Sequence, residues 1–143
     1  MDAGSLSLLY RLASMGAYSL LQYVGQSFPW SGEKSLGMRT QILTMAGEEG
    51  EAAARLVRIL QKKHVPLRVK GGFPSHYTSG NFVSIDYLLP KLIAEHEKEV
   101  AEIERELPKV ADEEARVLAQ AYLEMKRGHL DALRGSSPSP ITH

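Results

Sequence analysis

Three residues able to do chemistry stand where a helical core would ordinarily carry only apolar side chains: Glu49, His96 and His129. Each is the polar member of a run of apolar residues spaced three and four apart, the period of one helical face. Burying a carboxylate or imidazole without a partner costs at least ~2 kcal/mol, so each needs a hydrogen-bond partner, an ion or water. Inward-facing Glu and His on packed helices are also the raw material of carboxylate metal sites. Both readings apply to the same positions, and we favour satisfied core polar residues.

The other reactive side chains point to less. Tyr10, Tyr18, Tyr23, Tyr77, Tyr87 and Tyr122 read as residues at the edge of a core. His64, His76 and His143 fall in or beside connections and the tail. Gly71-Gly72 lacks the strand and the Lys-Ser/Thr context of a phosphate loop. No Ser, His and acid arrangement can be read from spacing, and with no Cys there is neither a thiol nucleophile nor a thiolate metal site.

The seams that would position Glu49, His96 and His129 divide the chain into four helices. The first is placed at residues 5 to 26, where Leu9, Ala13, Gly16, Leu20 and Tyr23 share a face that Leu6, Leu8, Leu12, Leu21 and Val24 widen. An apolar surface of that width belongs to a central helix or to one covered by a second subunit. Pro29 keeps the residue before it out of the α region and ends this helix. The second starts between Ser31 and Met38 and reaches Lys63, with Ile42, Ala46, Glu49, Ala53, Leu56 and Leu60 on its seam. Gly47 and Gly50 weaken it by about 1 kcal/mol each against Ala, and close approach of a neighbouring helix is the expected compensation.

The third helix is expected to begin near Ser84, a good N-cap, with Leu89, Ile93, His96, Val100, Ile103 and Leu107 on its seam and Pro90 kinking or loosening its first turns. Pro108 ends it, and Asp112 followed by Glu113 and Glu114 starts the fourth, which carries Leu118, Tyr122, Met125, His129 and Leu133 to about Arg134. So short a turn makes the third and fourth helices antiparallel neighbours. The stretch from His64 to Val83, by contrast, contains Pro66, Gly71, Gly72, Pro74 and Gly80 and keeps no helical period. Val65, Leu67, Val69, Phe73, Tyr77 and Phe82 make it too apolar for a free linker, so it should pack along the bundle as a long ordered crossover. Residues 1–134 are thus read as one all-α, four-helix domain, and 135–143, rich in Ser and Pro, as a disordered tail.

Composition narrows the class of partner. At 143 residues with 43% hydrophobic and 24% charged residues, the chain is sized for a single core and is too apolar for wholesale disorder. Lys plus Arg and Asp plus Glu both number 17, which gives no reason to expect nucleic acid or a membrane surface. Six bases and no acid lie between Arg55 and Lys70, but no nucleic-acid reading motif accompanies them. Leu12 to Gly32 carries no charge, yet Ser14, Tyr18, Gln22 and Pro29 make it a poor bilayer span. The missing cysteines and the absence of a basic region at the start fit a cytoplasmic protein. The wide apolar first helix points to a homodimer or higher homo-oligomer.

At this point the chain resembles the ferritin-like superfamily, the group of rubrerythrins, bacterioferritins and their uncharacterised relatives. The resemblance spans about residues 5 to 134. It rests on four helices paired two and two, the long crossover between helices 2 and 3, and the stretches Tyr18-Ser-Leu-Leu-Gln-Tyr23 and Tyr87-Leu-Leu-Pro-Lys-Leu-Ile93. It implies a ferritin-like four-helix bundle holding a di-iron or di-manganese site, built from one Glu on the first and third helices and Glu-x-x-His on the second and fourth. Most of that motif is missing here. Gly16 or Ala17 stands at the first position, Glu49 is followed by Ala52 instead of His, and His129 is preceded by Lys126 instead of Glu. The third helix offers Glu95, His96 and Glu99. The resemblance therefore leads to a non-catalytic member that has lost its di-metal centre. The alternative is one iron or manganese ion, held by a reduced set of Glu49, His96, Glu99 and His129, in a metal-binding protein or oxidoreductase.

Overall fold

The computed structural model describes residues 1–27, 36–67 and 85–136, and these are almost entirely helical, with no strand among them. The helices are α1 (Ala3–Ala17), α2 (Leu20–Ser27), α3 (Leu36–Lys62), α4 (Ile85–Glu106) and α5 (Glu113–Ser136), with a 3-10 turn over Leu107–Lys109 between the last two. They form four rods, because α1 and α2 continue one another. No described helix is long and apolar enough to cross a membrane. The expected helix-ending segment at Phe28 to Gly32, most of the crossover and the tail from residue 137 lie outside the described residues.

Local signals explain where the rods begin and end. Asp2 caps α1, its carboxylate accepting from the Ser5 N–H at 3.2 Å and from the Ser5 hydroxyl at 2.6 Å. α3 ends with His64 in the left-handed region at φ 62, where the Val65 N–H donates to the Leu60 carbonyl at 2.8 Å, and Val65 and Leu67 then pack against the core. α4 runs through Pro90 without interruption. Asp112 caps α5 as its type and position predict, accepting from the Ala115 N–H at 2.9 Å.

The first rod differs from the single helix expected over 5 to 26. It breaks at Tyr18 and Ser19, where Tyr18 leaves helical geometry (φ −123, ψ 26) and Ser19 starts a new helix by accepting from the Gln22 N–H at 3.1 Å. Ser19-Leu20-Leu21-Gln22 has the Ser-x-x-Gln spacing of a capping box, a start signal in the middle of an apolar run. Its Gln22 side chain does not turn back to close the box. It reaches across to α3 instead, donating to the Ala46 carbonyl at 2.6 Å.

Neighbouring rods run antiparallel. Gly16 lies against Ala53 and Gly25 against Ala46, so the first rod opposes α3. Glu97 pairs with Arg134 and Glu104 with Arg127, so α4 opposes α5 as the short turn predicts. Arg11 meets Glu102 and, further along, the Leu20 N–H meets Glu95, so the first rod also opposes α4, and α3 and α4 therefore point the same way. The connection between them joins two parallel helices.

Two of the sequence expectations about packing change. The width of the apolar face of the first rod is absorbed within one chain: Leu8, Leu12, Leu21 and Val24 are all buried. The tight glycines are also different ones. A Cβ at Gly47 would meet nothing within 4 Å, and one at Gly50 would only touch the Gln22 amide at 3.7 Å, so neither marks a close helix approach. The close approach is on the first rod, where a Cβ at Gly16 would come within 2.9 Å of the Ala53 Cβ.

The interior has three layers. Near the α4–α5 turn, Leu9, Leu12, Leu60, Ile103 and Leu123 belong to one apolar cluster. At the opposite end, Leu21, Val24, Ile42, Leu88 and Leu92 belong to another. Between them, at the level of the break in the first rod, lie Ser19, Glu49, His96, Glu99, Lys126 and His129, all buried.

Candidate functional site: a buried polar layer

Glu49, in the middle of α3, is fully buried and fully satisfied. One carboxylate oxygen accepts from the Ser19 hydroxyl at 2.5 Å and from the Gln22 side-chain amide at 3.0 Å. The other accepts from the Lys126 ammonium. The break in the first rod thus serves this layer twice, by turning the Ser19 hydroxyl inward and by freeing the Leu20 N–H, which donates to Glu95 of α4 at 2.9 Å.

Lys126 has no solvent exposure, and its Nζ also lies 3.1 Å from Glu99 Oε1. This second contact is an ion pair across the core. Burial works against the charge on Lys126, but Glu99 and Glu49 outweigh it and hold its pKa above the usual lysine value. An ammonium kept protonated has no lone pair for nucleophilic chemistry. Burial pushes the Glu99 carboxyl up to about 7 despite the neighbouring ammonium, with Glu95 and Glu49 adding to the rise. The layer therefore holds one firm cation, two carboxylates and a proton that comes and goes near neutral pH.

The two histidines flank this centre, with ring centroids 6.3 Å apart in an edge-on arrangement. His96 Nδ1 lies 2.9 Å from the Leu92 carbonyl, which can only accept, so Nδ1 carries the proton and Nε2 is left as a buried acceptor without a partner. Burial, with the Lys126 charge behind it, lowers its pKa to about 3 and keeps the ring neutral. His129 Nε2 lies 2.9 Å from Glu48 Oε1, and its Nδ1 is the unpaired atom. Burial lowers its pKa too, against the opposing effect of the Glu48 hydrogen bond. The Tyr122 hydroxyl is buried without a partner, and its pKa lies well above the usual value because of burial and of the charges on Glu49 and Glu99.

Beside the layer, a groove of about 580 Å³ runs between α3 and α5, with Ala52, Leu56, Met125 and His129 among its lining. The Glu48–His129 contact bridges it.

Of the four residues put forward as a reduced ligand set, the structure buries all four in one layer. It brings Glu49 and Glu99 to the same atom, and that atom is the Lys126 nitrogen. Among the described residues no group of three or more His, Asp and Glu side chains is placed to hold a metal ion. The donor set does not fit a di-metal centre, because a cation belonging to the chain already sits between the two carboxylates.

Sequence reasoning passed over Lys126, Ser19, Gln22 and Glu48. A signal existed for the first. Tyr122, Lys126, His129 and Leu133 follow at spacings 4, 3 and 4, a more regular seam than the one drawn through Met125, which is only half-buried.

No family model matches the chain, and no curated protein or solved structure matches it either.

Proposed function

We propose that this chain is a non-catalytic, ferritin-like helical bundle whose interior is closed by a lysine in place of a metal, and that it acts through binding at its surface, including binding to further copies of itself. The observation that carries this reading is the Lys126 ammonium, sealed from solvent between Glu49 and Glu99. A buried ammonium gives two inward carboxylates the counter-charge that metal ions give them in a di-metal bundle, but it offers no open coordination position and no change of oxidation state. The parallel α3 and α4 joined by one long connection also suit the superfamily's architecture. A chain without cysteine fits a reducing cytoplasm.

Elemental analysis of protein purified from iron- or manganese-rich growth tests the reading. Metal below about a tenth of an equivalent per chain is expected, since a structural or catalytic site would be close to filled. A second reading, a single-ion metal protein, is favoured by the unpaired ring nitrogens of His96 and His129. Near-stoichiometric iron or manganese, lost on changing either histidine to Gln, would establish it instead. With the apolar face of the first rod buried, self-association rests on exposed apolar residues such as Leu43 and Val117, and light scattering addresses it separately. A species larger than the 15.8 kDa chain is expected, and monomer alone would remove that part of the proposal.

A further inference from the structure

We propose that the groove between α3 and α5 seats a second copy of this chain, each copy laying the exposed ridge of its α5 into the groove of the other. This names the face behind the self-association inferred above and rests on that reading. The ridge can be followed along α5. Val117, Ala121, Glu124 and Gly128 stand at spacings 4, 3 and 4, and all four are exposed. Val117 is 60% exposed, more than any other large hydrophobic among the described residues. Ala121 and Gly128 are small enough to let another helix come close, and a Cβ at Gly128 would meet nothing within 4 Å. The groove beside this ridge is about 580 Å³, with Leu56, Leu118 and Met125 among its lining. A partner seated there removes apolar surface of both copies from water.

Charge decides the occupant. On α3, Arg55, Arg58 and Lys62 lie at spacings 3 and 4, all exposed, and none of them makes an ion pair among the described residues. On α5, Glu113 and Glu124 are exposed and meet no cation among the described residues. The two helices are antiparallel, and within one chain Lys63 meets Glu114 at 3.4 Å while His129 meets Glu48 at 2.9 Å. That register sets Lys62 nearly level with Glu113, and Arg55 with the turn from Ala121 to Glu124. A two-fold axis parallel to the helices preserves every level. Passing between the two α5 helices, it brings the Val117, Ala121 and Gly128 ridges together and lays the partner's Glu113 beside Lys62 and the partner's Glu124 beside Arg55. The same contacts recur across the axis, as an isologous interface requires. A surface with its basic row on one helix and its acidic row on the next is thus complementary to itself. The shared face measures roughly 22 Å along α5 by about 20 Å across two helices, at the small end of specific interfaces, so the dimer is weak, with a Kd of about 10–100 µM.

The test is sedimentation of the full chain over about 1–500 µM, with monomer expected at the low end and dimer at the high end. Val117→Asp should weaken the dimer about tenfold or more, and so should Arg55→Glu with Lys62→Glu, which sets acid against acid. Adding Glu113→Lys and Glu124→Lys to that double variant exchanges the signs of the two rows and should restore the parent affinity to within about threefold. All five positions are exposed, and circular dichroism melts check that each variant folds. Should the fourfold variant not fold, mixing the two double variants carries the same test, since each then meets opposite charge on the other. A dimer indifferent to these substitutions overturns this face and leaves self-association through another one standing. Failure of both the fourfold variant and the mixture to recover the dimer also overturns it. Monomer at every concentration removes this proposal and the self-association together.

Discussion

Leu9, Leu60 and Ile103 at one end of the bundle, and Leu21, Ile42 and Leu92 at the other, are buried with no side-chain polar atom to satisfy. Between them Glu49 and Lys126 are just as inaccessible and Glu99 nearly so, yet each had to be stripped of water and re-paired. Burial of the leucines is favourable by itself, at about 25 cal/mol per Å², and needs only volume and shape. Burial of the ions costs several kcal/mol apiece before their mutual attraction is counted, and needs a definite partner at a definite place. The ends can tolerate exchange among similar side chains, whereas the middle fixes which helix faces which. It has used a broken helix, a serine and a glutamine to bring that about.

The largest expected effect separates the two kinds of layer. Lys126→Ala leaves two carboxylates buried without a counter-charge and should destabilise the fold by about 3–5 kcal/mol. Leu123→Ala in the neighbouring apolar cluster should cost a comparable ~2–5 kcal/mol through its cavity. The two losses differ in how they can be repaired. Adding Glu49→Gln and Glu99→Gln to Lys126→Met, which fills the same space, should recover most of the loss in urea melts, because the uncompensated charge goes with them. If the triple variant is no more stable than Lys126→Met alone, which keeps the packing and leaves the carboxylates unpaired, the charge argument fails.

Acidity sharpens the contrast, because only the polar layer should respond to it. A Glu99 carboxyl raised to about 7 in the folded chain, from an ordinary value near 4.5, binds its proton more tightly when folded. Its contribution is therefore fully present at low pH and is lost as pH rises from about 4.5 through 7, by on the order of 3 kcal/mol in total. His96 works in the opposite sense. Held neutral with a pKa of about 3, it stabilises the fold above 6.5 and costs stability as pH falls from there towards 3. Glu99→Gln should thus come closest to the parent near pH 4.5 and exceed it at pH 8, with the gap opening between about 4.5 and 7 and levelling off above that in denaturant midpoints. A constant gap across that range would mean that Glu99 does not titrate in the folded chain.

The same division decides what was legible in the sequence. The apolar spacing of three and four placed all four rods, and it put Glu49, His96 and His129 inside, where they are 0%, 0% and 5% exposed. It could not show what they pair with, because a lysine on a helix otherwise rich in charge reads as a solvated residue. Lys126 is instead buried whole, stem and ammonium, and its agreement in spacing with Tyr122, His129 and Leu133, like its place where the resemblance puts an inward Glu, hinted at that. The break at Ser19 was hidden for a related reason. The apolar run continues through it from Ala17 to Leu21, and the capping-box spacing gains meaning only when a carboxylate on another rod waits for the hydroxyl. The groove between α3 and α5 depends on the separation of two helices, which no single-chain periodicity encodes.

The smallest effect concerns the boundary between the two kinds of layer. Gly16 faces α3 and α5 just before the break, and a methyl group there would meet the Ala53 Cβ and the Tyr122 hydroxyl, both at 2.9 Å. The first contact is with a Cβ fixed to the helix backbone and cannot yield without moving α1 away from α3. The second presses on a hydroxyl that is buried without a partner. Against this, Ala is favoured over Gly in a helix by about 1 kcal/mol. Overpacking of a rigid site typically costs about 1–3 kcal/mol, so Gly16→Ala should come out destabilising by a net of up to ~2 kcal/mol. Gly47→Ala, placed in open space, should be stabilising by up to about 1 kcal/mol. Thermal melts of the two single variants decide the matter. If both shift in the same direction, the first rod is not packed against α3 at Gly16 as tightly as the Ala53 contact requires.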